Sequence, residues 1–195
     1  MDAASGGPAD QGTPEELMEQ YVDRSATAFD ALYRQVAPRL LSYLLRLTRN
    51  RERAEDLLQV TFAKVHRARG SYIRGAPVLP WMLAIARRSF LDERRAAHSR
   101  SEDLSQDGTL PEVRDETAAP PMELAEALER ALDGLPEPYR EAITLTKVTG
   151  LSVAEAAEVL GTTPTAVKLR VHRGYVQLRE QLRGFEPAHK GERNR

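Results

Sequence analysis

The chain has no cysteine among its 195 residues, which excludes disulfides, thiolate chemistry and cysteine-ligated zinc. Long apolar runs are also missing. The longest, Val78 to Ala86, is interrupted by Pro80 and falls well short of the roughly 20 residues that a bilayer-spanning helix needs. The opening residues, MDAASGGPADQGTPEE, are small, polar and acidic, so no signal peptide is read there. Aromatics make up only 6% of the chain, and Ala, Leu, Arg and Glu dominate, which favours helix over sheet. His66, His98, His172 and His189 are dispersed, and no His-Glu-x-x-His pair, glycine-rich phosphate loop or nucleophile elbow is present. No catalytic residue, metal site or cofactor is therefore expected. A cytoplasmic binding protein is expected rather than an enzyme.

Net charge is −1, yet the charge is segregated along the chain. Residues 1–21 carry −5, residues 22–100 carry +9, residues 101–133 carry −8 and residues 134–195 carry +3. Two basic blocks flanking an acidic stretch suit two modules that face nucleic acid, joined by a tether kept off phosphate. The expected architecture is all-α, with two small helical domains on a flexible acidic linker. The divisions are a tail over residues 1–20, a first module over 21–100, a linker over 101–121, a second module over 122–184 and a tail over 185–195. Within the first module, Pro38 is expected to interrupt or restart a helix, residues 54–67 to form another, residues 70–80 to form a loop and residues 81–97 a further helix.

The most informative stretch is LSVAEAAEVLGTTPTAVKLRVHR, residues 151–173. Ser152 and Glu155 form a capping box at a helix start, and Gly161 supplies the left-handed turn that ends that helix. Thr163 caps a second helix that opens on Pro164, where a missing N–H is harmless. Val167, Val171, Tyr175, Leu178 and Leu182 then mark one apolar stripe, with Lys168, Arg170, His172, Arg173 and Arg179 largely off it. A buried stripe opposite a cationic face is how a recognition helix lies in a major groove, so this reads as a helix-turn-helix. An ordinary helical hairpin with solvated basic residues is the competing reading. Upstream, residues 81–100 place Arg87, Arg88, Arg94, Arg95 and Arg100 on one helix, and guanidinium forks suit phosphate oxygens. Tyr72, Arg74 and Trp81 at the preceding loop read either as a platform for an unstacked base or as core anchors.

These residues resemble the extracytoplasmic-function (ECF) sigma factors, the small promoter-recognising subunits of bacterial RNA polymerase, over roughly Ala28 to Leu182. AEDLLQVTFAKVH (54–66) is similar to the family's second-region signature, PWMLAIARRSFLDERR (80–95) to its promoter-melting helix, and LPEPYRE (135–141) through Arg179 to its fourth region. The resemblance implies a polymerase contact at Asp56 and Gln59, with Phe62 on the same helix. It implies minus-ten contacts at Tyr72, Arg74, Trp81, Arg87, Arg88, Arg94 and Arg95. Minus-thirty-five contacts would fall at Thr163, Thr165, Lys168, Arg170, His172 and Arg173. The implied partners are core RNA polymerase, promoter DNA and an anti-sigma factor, with no membrane insertion, in a stress or envelope response. Two positions depart from the family pattern: Val60 stands where an acidic residue is usual, and Arg88 where Asn is usual. A sigma-like decoy and a stand-alone helix-turn-helix repressor remain as alternatives.

Overall fold

A computed structural model of the chain describes residues 12–102 and 122–183. Residues 1–11, most of the expected linker (103–121), and residues 184–195, which include the whole expected C-terminal tail (185–195), lie outside the described residues. All regular structure among the described residues is helical: α1 (Pro14–Val22), α2 (Ala26–Thr48), α3 (Arg51–Ala68), α4 (Val78–Glu102), α5 (Met122–Asp133), α6 (Glu137–Ile143), α7 (Val153–Leu160) and α8 (Pro164–Gln181). A short 3₁₀ turn follows α3, and α6 widens into a π turn over Thr144–Val148.

The first four helices pack around Leu32, Leu40, Tyr43, Leu44, Val65, Met82 and Leu83, all fully buried. Three local expectations need correction. The stretch expected to be a tail through residue 20 ends in α1, which Thr13 and Glu16 start with a reciprocal capping box. Leu17, Met18 and Tyr21 bury one face of it, an anchorage that its polar flanks hide from sequence inspection. Pro38 does not interrupt α2; its ring lies exposed on the solvent side, and Leu32, Val36, Leu40 and Leu44 hold the helix to the core on both sides. Finally, α4 begins at Val78, three residues earlier than expected, with Pro80 in its first turn, where no backbone donor is missed.

The second module agrees with its local signals. Ser152 and Glu155 make both capping-box bonds, Gly161 sits at φ 61°, and Thr163 Oγ1 accepts from Ala166 N–H at 3.2 Å. The buried face of α8 is Val167, Gly174 and Leu178, with Val171 partly buried; Tyr175, expected on the stripe, is exposed. Gly174 replaces it at the crossing of α6 and α8, because a side chain there would come within 2.6 Å of Ile143 Cδ1.

The two modules do not stand apart. α7 packs against α4, and the π turn packs against α2. One buried apolar cluster runs through both modules, from Met82, Leu83 and Ala86 to Ala142, Leu145, Ala156 and Leu160. A smaller cluster of Ala131, Leu132, Leu135, Ile143 and Leu178 belongs to the second module alone.

Candidate polymerase and nucleic-acid interfaces

On α3, Asp56 and Gln59 are exposed and share a face with Val60, which leaves an apolar side chain in solvent beside Asp56. Phe62 turns the other way. It is buried, with its ring 4.6 Å from that of Tyr33 and edge-on to Phe29 at 6.0 Å. Of the three residues proposed for polymerase contact, Asp56 and Gln59 are thus presented at the surface, while Phe62 holds α3 to α2.

The loop before α4 is fastened to α1. Glu15 accepts from Val78 N–H at 3.0 Å, supplying the first turn of α4 with a cap from a distant helix. Glu19 accepts from Gly75 N–H at 2.9 Å, and Arg74 pairs bidentately with Asp23 at 2.6 and 3.1 Å. The Arg74 hydrogen bond holds the Asp23 carboxyl below its ordinary range. Tyr72 is buried, its ring 5.4 Å from that of half-buried Trp81 and its hydroxyl donating to Ala76 O. Both rings serve as anchors of this loop, so Tyr72 offers no open face for a base in this arrangement, and the core-anchor alternative describes it.

The arginines of α4 divide sharply. Arg88 is exposed and has no ion-pair partner among the described residues. Arg95 pairs with Asp92 on its own helix at 2.8 Å. Arg94 and Arg87 instead reach the second module, to Glu137 at 2.8 Å and Glu141 at 2.9 Å. Glu141 is only 6% exposed, and its Oε1 also accepts from the fully buried Tyr43 hydroxyl at 2.7 Å. Burial, then the charge and hydrogen bond of Glu141, push the Tyr43 phenol well above its ordinary value. For Arg87, burial opposes the charge, but Glu141 more than offsets it and holds the guanidinium above its usual range. Sequence reasoning missed Glu141, Glu137 and Tyr43. The available signal was the four-residue spacing of Glu129, Asp133, Glu137 and Glu141, which continues across the Gly134–Pro136 break.

In the helix-turn-helix, Thr163, Thr165, Lys168, His172 and Arg173 are exposed and Arg170 is half-buried. Among the described residues none of Lys168, Arg170 and Arg173 has a carboxylate partner, in contrast to most of the α4 arginines. α8 is held from behind by α5, α6 and α7. The helix thus carries Lys168 and Arg173 exposed and Arg170 half-buried behind a Thr163 cap.

Comparison with known proteins matches both modules. The Sigma-70 region 2 family model matches residues 32–100, and the Sigma-70 region 4 family model (type 4_2) matches residues 125–178. The RNA polymerase sigma factor CarQ of Myxococcus xanthus is 39% identical over 177 residues, covering 87% of this chain and 97% of the relative. The ECF RNA polymerase sigma factor SigE of Mycolicibacterium smegmatis is 35% identical, covering 90% of this chain and 70% of the relative. Among solved structures, the sigma factor RpoE of Bartonella quintana, crystallised with the anti-sigma factor NepR, superposes with a TM-score of 0.72 at 28% identity, covering 81% of this chain and 98% of that one. With its two sigma regions in order and one relative matched over 97% of its length at 39% identity, the chain belongs to the ECF RNA polymerase sigma factors.

Proposed function

We propose that the chain binds core RNA polymerase and directs promoter-specific initiation of transcription, with residues 21–100 and 122–184 as its two working modules. The observation that carries this reading is α8, a capped helix packed on α6 and α7 whose Lys168, Arg170 and Arg173 lack carboxylate partners among the described residues, downstream of a module matching sigma region 2. In this reading Thr165, Lys168, Arg170 and Arg173 read the minus-thirty-five duplex in the major groove, with Thr163 and His172 at its margin. Arg88, Arg94 and Arg95, joined by Arg87, hold the separated minus-ten strand by its phosphates, and Asp56 and Gln59 meet the polymerase. It acts by binding rather than by catalysis, in the cytoplasm; among the described residues no helix is long and apolar enough to cross a membrane. The Bartonella quintana neighbour was solved with an anti-sigma factor, and we infer a regulator of that kind for this chain.

Run-off transcription with purified core polymerase and the full chain tests the proposal. A specific transcript supports it, and a chain that binds polymerase but yields none is a decoy instead. Arg170→Ala is expected to cost about 1–3 kcal/mol of discrimination at the upstream element. Arg95→Ala should weaken binding evenly on all sequences and flatten the salt dependence. Equal losses on every sequence for both variants would contradict these roles.

A further inference from the structure

One side chain that α8 turns outward can neither donate nor accept a hydrogen bond. Leu169 is 46% exposed, more than any other large apolar side chain among the described residues of the second module. An α-helix turns about 100° per residue, so positions around α8 follow from residue numbers. The buried residues Val167, Gly174 and Leu178 fall within about 40° of one another. Leu169 lies about 160° from the middle of that face, at the crest of the helix. Lys168 and Arg170 stand about 100° to either side of it, and Thr165, His172 and Arg173 lie within about 60°. Leu169 also falls in the first two turns after Pro164, the part of a recognition helix that meets base edges. An apolar group therefore occupies the centre of the outward face, with cations on both flanks.

We propose that Leu169 is a specificity-determining residue of α8, packing on the C5-methyl group of a thymine in the upstream element. The inference rests on the reading of α8 as the helix that enters the major groove. There, thymine offers an acceptor and a methyl group, cytosine a donor amino group, guanine two acceptors, and adenine an acceptor and a donor. Thr165, Lys168, Arg170 and Arg173 all carry donors, so they answer acceptors, and none of them answers a methyl group. Leu169 does. Pressed against a cytosine amino group it would take water from a donor and give nothing back, so the same side chain also rejects the other pyrimidine. The flanking cations supply the placement. Lys168, Arg170 and Arg173 have no carboxylate partner among the described residues, and their attraction to the duplex brings the crest between them toward the base edges. Water then leaves both apolar surfaces, the leucine and the methyl group, which favours the contact.

The test uses the full chain bound to core RNA polymerase. Duplexes are selected from a random-sequence pool, and the thymines of the selected upstream element are replaced one at a time by deoxyuridine, which removes the C5-methyl group and leaves base pairing intact. For the wild-type chain, one replacement should weaken binding about fourfold, the worth of one buried methyl group. Leu169→Ala, a surface change that keeps helix propensity, should bind the parent duplex at least that much more weakly and lose nothing further on the same replacement. Selection repeated with Leu169→Asn should return an element altered at that base pair and unchanged at the others. A wild-type chain indifferent to every replacement, or a loss on replacement that is equal in Leu169→Ala, overturns the proposal. An even loss by Leu169→Ala on all duplexes, with weaker capture of polymerase, also overturns it, because the side chain then meets protein. An enriched upstream element that shows no methyl dependence sinks the role of Leu169 alone. A pool that yields no enriched element sinks the promoter-reading role of α8, and Leu169 with it.

Discussion

At Glu141 a single carboxylate oxygen accepts two hydrogen bonds, from Tyr43 and from Arg87. Truncation to Ala strands a fully buried hydroxyl and a half-buried guanidinium. Glu141→Ala should therefore cost about 1–3 kcal/mol in chemical denaturation, and Glu141→Gln, which can still accept, distinctly less. Tyr43 makes the same site sensitive to alkali. The phenol of the unfolded chain ionises near pH 10, roughly, whereas the buried one keeps its proton to higher pH. The folded chain then binds the extra proton, so this contribution to stability is full below about pH 10 and is lost as pH rises. The wild-type unfolding free energy should fall more steeply above that pH than that of Tyr43→Phe. Gly174 is the other residue with a sharp demand. A methyl group there meets Ile143 Cδ1 at 2.6 Å and Tyr139 Cβ at 3.3 Å. Gly174→Ala gains helix propensity yet should lose about 1 kcal/mol net from overpacking. Ile143→Val removes the offending Cδ1, so in a double-mutant cycle the pair should destabilise less than the sum of the single changes.

Among elements, the helix-turn-helix was the most legible in sequence, because its signals act within four residues. Ser152 with Glu155, Gly161, and Thr163 with Pro164 mark both helix ends locally, and the structure uses each as written. α1 was not legible. Its value lies in two carboxylates of its own and a third at its C-cap, with partners more than fifty residues later: Glu15 on Val78, Glu19 on Gly75 and Asp23 on Arg74. Pro38 and Pro80 misled for a related reason, since core contacts on either side of Pro38 outweigh one missing donor and Pro80 sits where none is needed. The α1 latch carries its own prediction. Glu15→Ala should cost about 1 kcal/mol through the lost cap. It should also speed hydrogen exchange at Val78. Asp23 is held below its ordinary range, so its pairing with Arg74 is complete above about pH 4 and is lost as pH falls further. Protection of the loop amides, taken relative to their intrinsic exchange, should fall on that acid side in the wild type and fall less in Asp23→Asn.

For the whole molecule, charge segregation marked basic blocks over residues 22–100 and 134–195 around an acidic stretch, and the two sigma regions fall in that order. What segregation could not convey is that part of the acid is spent on the chain's own arginines. Glu141 lies 98 residues from Tyr43 and 54 from Arg87, distances over which no periodic pattern speaks. The same holds for the candidate site. Asp56, Gln59, Arg88, Lys168 and Arg173 lie at the surface as their faces suggested, whereas Arg170 is half-buried and Phe62 and Tyr72 are drawn inward by ring partners on other segments.

The dependence of α4 on Glu15 has a practical corollary. The segment shared with the family's region 2 begins at residue 32, so trimming the chain to that common portion would discard α1 altogether. α4 would keep every arginine, yet its opening amide would lose its Glu15 partner and the preceding turn its tie to Glu19. A shortened protein that behaves poorly on promoter DNA would then report a lost brace rather than a lost contact.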